Sequence, residues 1–278
     1  MYIAAIMALI IVLSAILVHS IVRMLCSMDK LPVTAENYRG RVIPVIGGMA
    51  FIPVMLMASL LLMLIKPDNI RIYGNYLTLV LCTGFTGIVD DLIGAGGPKG
   101  LIKHLKSTMN GRLTTGFIKA LAGLLVSCIV SLGTASAFEF AINAALIALC
   151  TNTLNLFDLR PGRALKLYLL STLLLLINIH EWIYNVLPAL VLFFAALIFL
   201  VYDLNEVCML GDTGANILGS TLGYHIALVL GLELKVPLLG LMILINLAAE
   251  KVSFTEIIKR YRLLDYLDNL GRRDSRRK

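Results

Sequence analysis

A chain of 278 residues that is 59% hydrophobic and 15% charged, with a mean hydropathy of +0.90, falls outside the soluble globular class. A net charge of +7 would suit nucleic acid in a soluble protein; here it reports loops facing the cytoplasm and anionic headgroups, so membrane lipids are the expected partner and nucleic acid is not. Cys26, Cys82, Cys128, Cys150 and Cys208 are odd in number, scattered and never spaced CxxC, which argues against disulfides and a zinc site.

Apolar runs long enough to cross ~30 Å of hydrocarbon recur along the chain, with polar residues clustered between them, so the expected fold is all-α, polytopic and helical. The pattern predicts nine transmembrane helices, at 2–22, 44–65, 76–89, 117–132, 138–152, 166–179, 183–201, 215–230 and 236–249. The first has no basic leader and too long an apolar core for a cleaved signal peptide, so it reads as a span. With the N-terminus outside and the C-terminus cytoplasmic, 21 of the 24 Lys and Arg face inward, leaving Lys66, Arg71 and Lys235 outside. Thirteen of the 17 acids sort the same way, against Asp68, Glu139, Glu181 and Glu233. Residues 1–250 therefore read as one transmembrane domain with its working face in the cytoplasm. Residues 251–278 read as an amphipathic, basic tail, in which Ile257, Tyr261, Leu264, Leu267 and Leu270 recur at helical spacing for a helix lying at the interface.

Four polar constellations interrupt the apolar runs. The first inner loop carries Arg39 and Arg41 before Pro44 and the Gly47-Gly48 pair, which suits either close approach to a phosphate or a basic anchor with a tight helix entry. The third span ends in GIVDD, where Asp90 and Asp91 meet each other and the negative end of the helix dipole, a costly arrangement unless a cation or a basic partner offsets it, the bland alternative being solvated loop acids. A loop rich in Lys and Arg follows, with His104 read as a surface residue. At the end of the fifth span Asn152, Asn155 and Asp158 recur every three residues, followed by Arg160, Arg163 and Lys166. They suit a phosphate with its metal, or helix joining by hydrogen bonds. The stretch Leu200–Gly219 holds Asp203, Glu206 and the run Gly211-Asp212-Thr213-Gly214 opening the eighth span. Asp212 there is either an N-cap or a metal ligand, and the helix start offers N–H groups to an anion. Acids spread over three inner loops, all oxygen donors, match what Mg²⁺ prefers when phosphates complete its shell.

The order of these motifs, RG...IPVIGG, GIVDD, NTLNLFD and MLGDTGANILG over residues 37 to 220, resembles the polyprenyl-phosphate N-acetylhexosamine-1-phosphate transferases, which act in peptidoglycan, teichoic acid and O-antigen synthesis. The resemblance implies an enzyme of the bacterial plasma membrane. Its substrates would be a polyprenyl (undecaprenyl) phosphate and a UDP-linked sugar, its cofactor Mg²⁺ and its product UMP. It implies catalytic parts for Asp90, Asp91 and Asp158. Asp212 and Asn155 would serve the metal, and Lys119 and Asn152 the substrates, beside the cations Arg39, Arg41, Arg160 and Arg163 and the helix start at Gly214. A homodimer is compatible with the sequence without being read from it.

The chain departs from the family at DLRPGRA, where members read DGLDGLA, and lacks a late cytoplasmic histidine cluster, since its histidines are His19, His104, His180 and His225. The leading expectation is thus a transferase with an altered donor site. Two alternatives stay open, a non-catalytic relative that binds polyprenyl phosphate and a transferase for a non-standard donor. A transporter is disfavoured because no span carries an acid or base at mid-depth.

Overall fold

In the computed structural model, residues 2–28, 33–93, 114–176 and 183–272 are described. The basic loop with Lys99, Lys103, His104, Lys106 and Arg112 lies outside these residues, as do Lys30, His180, Glu181 and the end of the tail.

The described chain is helical apart from one small hairpin. Its helices are α1 (Tyr2–Ser27), α2 (Phe51–Ile65), α3 (Ile70–Ile93), α4 (Thr115–Ser131), α5 (Ala137–Phe157), α6 (Arg163–Leu176), α7 (Leu187–Leu204), α8 (Gly211–Val229), α9 (Leu232–Ala249), α10 (Phe254–Arg260) and α11 (Arg262–Asn269). Among the described residues six segments are long and apolar enough to cross a membrane: Ala4–Ser27, Gly47–Ile65, Pro67–Ile93, Ala137–Phe157, Tyr184–Leu204 and Leu232–Ala249. α4 is apolar but shorter. α9 is apolar yet buries only Lys235, with ten of its residues exposed, the signature of a helix with one side to lipid rather than water.

Local sequence sets several helix starts. Ser136 and Glu139 stand at S-x-x-E spacing, and the Ser136 hydroxyl accepts the Glu139 N–H at 3.1 Å to open α5. Thr114 caps α4 through the Phe117 N–H at 3.3 Å, and Pro188 sits in the first turn of α7.

α8 is the hub. Fifteen of its residues are buried, and it runs antiparallel to both α3 and α5. Small residues permit this: a Cβ on Gly219 would lie 2.5 Å from Thr151 Cα, and one on Gly223 2.6 Å from Ile147 Cα. Along the α3 seam Thr83 meets Ser220 at 3.1 Å, Tyr76 meets His225 at 3.2 Å, and the Tyr76 and Tyr224 rings cross edge to face. At one end of the bundle Lys235 pairs with Glu139 at 2.9 Å and Arg71 donates to Leu132 O. The aspartates of α3, α5, α7 and α8 gather at the other end.

Three expectations need correction. α3 extends from residue 70 to 93, well beyond 76–89, because its polar ends continue the helix. The first inner loop holds an antiparallel hairpin, β1 (Thr34–Glu36) with β2 (Val42–Pro44), where no strand was expected. The tail is not one helix over 250–270 but breaks at Tyr261, which takes extended angles between α10 and α11.

Candidate active site

The four motifs meet at the start of α8, and much of their chemistry is directed at one another. The segment before that helix pairs with the hairpin by backbone: Met209 N–H donates to Pro44 O (2.8 Å), Gly47 N–H to Met209 O (3.0 Å) and Gly48 N–H to Leu210 O (2.9 Å). A Cβ on Gly48 would fall 2.1 Å from Gly214 Cα, and one on Gly87 2.4 Å from Thr213 Cα. Gly47 and Gly48 therefore let backbone approach backbone rather than phosphate. Gly214, expected to meet substrate, is buried against Gly48 and Leu210.

The first N–H groups of a helix lack partners within it. In α8 they find three carboxylates from three other helix ends. Leu210 N–H reaches Asp203, Gly211 N–H reaches Asp158, and Asp91 takes the next two, from Asp212 at 2.9 Å and Thr213 at 3.0 Å, with the Thr213 hydroxyl at 2.6 Å. Asp203 also accepts from Gly162 N–H at 2.6 Å, where α6 begins. Negative charge at this dipole end is favourable, and the anion site expected at the α8 start is filled from within. Asp212 is not the N-cap, because Leu210 occupies that position.

The aspartate pair of α3 consequently divides. Asp91 turns to the helix start, while Asp90 turns to Lys119, whose ammonium lies 3.3 Å from Asp90 Oδ2 and 2.6 Å from Asp212 Oδ1. Thr115 also hydrogen-bonds Asp90. These three charged side chains are between 16% and 30% exposed, so a ligand can reach them without unfolding the bundle. Asp158 is raised well above the usual carboxylate range, first by burial and then by Asp203, Asp212 and Asp91, with the Gly211 N–H opposing.

Asn155 lies in the last turn of α5, and the register of Gly219 on Thr151 and Gly223 on Ile147, continued outward, sets it level with Gly214 and Ala215. Asn152 instead donates to Asn246 Oδ1 of α9 at 2.5 Å, because the three-residue spacing rotates it off the α8 seam. Arg39 and Arg41 turn toward Glu206, at 2.9 and 3.8 Å, where Asn37 and Tyr38 also donate at 3.0 and 3.2 Å. Glu206 has a positive φ of 56°, and this latch holds it there. Arg160 stacks over Tyr38 at 4.5 Å from the ring centre. Arg163 is taken up by Asp268 of α11 through two 2.8 Å hydrogen bonds, and so faces the tail.

Among the described residues no three His, Cys, Asp or Glu side chains converge as a metal-ligating group. Asp90 and Asp212 nonetheless fit Mg²⁺, which is usually held by one or two carboxylates with phosphate and water completing an octahedron. The sequence reading gave no separate role to Asp203 and Glu206 and did not single out Thr115. The first two stand in the polar stretch before α8; Thr115 carried no signal beyond its place at a helix start. Comparison with protein-family models and with curated proteins finds no match for this chain.

Proposed function

We propose that the protein is a membrane phosphoglycosyl transferase that moves a sugar-1-phosphate, of the N-acetylhexosamine class, from a UDP-sugar to polyprenyl phosphate and releases UMP. The observation that carries this reading is the accessible Asp90, Lys119 and Asp212 cluster at the charged end of an apolar bundle, where an ammonium and two carboxylates suit a pyrophosphate with its cation. In this reading nine helices span the bacterial plasma membrane, with the N-terminus outside and the cluster at the cytoplasmic surface. The charge distribution of the loops supports that orientation.

The bond that forms joins a lipid phosphate oxygen to the β-phosphorus of the donor, and the bond that breaks releases UMP. A lipid phosphate is already largely ionised, so Asp90 need not remove a proton; with Asp212 it positions charge. Lys119 moves from its carboxylate partners to a phosphate oxygen as substrate enters. Asp90 and Asp212 would hold Mg²⁺, which supplies neutralisation of the charge developing on the departing phosphate. Asp91, Asp158 and Asp203 keep the α8 start rigid beneath the reacting groups.

A second reading has specific support. Because three of the five aspartates cap α8, their presence does not by itself require catalysis, which favours a non-catalytic relative that binds polyprenyl phosphate. The two readings separate on UMP release by purified protein with undecaprenyl phosphate, Mg²⁺ and a panel of UDP-N-acetylhexosamines. Release that needs all three components and is lost in Asp212→Asn supports the transferase. No release from folded, lipid-binding protein supports the binding protein.

A further inference from the structure

The C-terminal segment is a two-faced element built against the loop after α5. On its inner face Asp268 accepts Arg163 Nε and Nη2, both at 2.8 Å, and Arg272 Nη2 at 2.7 Å. Arg163 Nη1 reaches Thr255 at 3.0 Å, and Arg272 Nε reaches Pro161 O at 2.9 Å. Lys166 donates to the carbonyls of Leu267, Asp268 and Leu270 at 3.0, 2.9 and 2.6 Å, supplying the partners that the end of α11 lacks. Phe254 stacks on Phe157 with ring centres 5.1 Å apart. Burial alone would raise the Asp268 carboxyl; the two guanidiniums hold it below its ordinary range instead. These charges are buried, with the Arg163, Arg272 and Asp268 side chains each less than a tenth exposed. A buried pair of this kind is strongly destabilised by loss of one partner.

The outer face is the opposite in character. Tyr261, Leu263, Leu264, Tyr266, Leu267 and Leu270 are all exposed, Leu263 by 69%. So dense an apolar patch is unusual on a water-facing surface. Two observations indicate its cover. α11 begins only thirteen residues after the lipid-facing α9 ends, and exposed Leu244, Leu247 and Val252 carry the apolar strip from one to the other. Beyond Arg272, the sequence continues with Arg273, Arg276, Arg277 and Lys278, complementary to anionic headgroups.

We propose that α10 and α11 form a lipid-docked clamp: an anionic leaflet seats the apolar face of α11, and the Asp268 network holds the Asp158–Gly162 loop and the first turn of α6 in place. Asp158 lies at the head of that loop and caps Gly211, so lipid composition is felt at the start of α8. This inference rests on the membrane reading and is independent of the transferase chemistry.

The test is hydrogen exchange of the intact protein in nanodiscs of phosphatidylcholine alone or mixed with phosphatidylglycerol. Anionic lipid is expected to slow exchange in 254–270 and in 158–166 together, by about 10-fold, with partial reversal by salt. The double variant Leu263→Ser/Leu267→Ser is expected to lose protection in both segments, while the buried middle of α8, residues 217–226, exchanges as in wild type and so reports an intact fold. Asp268→Asn is expected to uncouple them, leaving the 254–270 response and losing that of 158–166. Equal exchange in the two discs overturns the proposal. So does protection that rises with the number of protein copies per disc, which would make a second chain the cover.

Discussion

Replacing Asp91 by Ala removes the acceptor for three hydrogen bonds at once, from the Asp212 and Thr213 N–H groups and the Thr213 hydroxyl. Losing a helix cap costs about 0.5–2 kcal/mol, and each hydrogen bond to a charged group about 1.5–3 kcal/mol. The sum overstates the effect, because water can refill this half-buried position and the repulsion between Asp91 and its aspartate neighbours is relieved. A loss of about 3 kcal/mol is expected, a fall in Tm of roughly 6–12 °C for a domain of this size. Asp91→Asn keeps one acceptor oxygen and should lose about 1 kcal/mol. The assay is thermal unfolding in detergent followed with a thiol-reactive dye, since Cys150 and Cys208 are buried and label only on unfolding. Asp90→Ala is the matched control and should shift Tm far less, because Lys119 keeps Asp212 as its partner at 2.6 Å. Asp91→Ala melting with wild type while Asp90→Ala falls would refute the division of the pair.

Gly48→Ala should abolish the monodisperse folded species in size-exclusion chromatography, since its Cβ meets Gly214 backbone at 2.1 Å; a normal profile would mean the hairpin does not seat there. Glu206→Gln should loosen the hairpin latch by about 2 kcal/mol and speed tryptic cleavage at Arg39 and Arg41, and unchanged cleavage would contradict the latch. Asp158 has a raised carboxyl, so its contribution to stability is complete below the ordinary Asp value of about 3.9 and is lost as pH climbs through the raised one. In chelator-treated buffer the Tm of Asp158→Asn should therefore gain on wild type as pH rises, and a constant difference would remove the carboxylate crowding from the account.

The apolar runs made the helices legible, because ~20 residues without charge have few other fates in this composition. That the GIVDD, NTLNLFD and MLGDTG motifs belong together was legible too, since each puts acids at a helix end. What periodicity cannot reveal is their use. Asp90 and Asp91 are neighbours in sequence, yet one helical step of ~100° turns one to Lys119 and the other to the α8 backbone. Gly47 and Gly48 look alike whether a phosphate or a peptide plane comes close, and only the seating on Met209 and Leu210 tells them apart. Arg163 was read as an anion-binding group because its partner, Asp268, lies 105 residues away in a tail that carried no motif. The hairpin escaped because its strands are three residues each, too short for an alternating pattern.

The central claim is that Asp90, Lys119 and Asp212 form the reacting cluster. The most direct measurement follows label from UDP-N-acetylglucosamine carrying ³²P at the β-phosphate into extractable lipid, by wild type, Asp212→Asn, Lys119→Met and Asn152→Ala in equal folded amounts. Transfer by wild type and Asn152→Ala, with a fall of about 10²-fold or more in the other two, is the predicted result. Full transfer by Lys119→Met, or loss confined to Asn152→Ala, would contradict it.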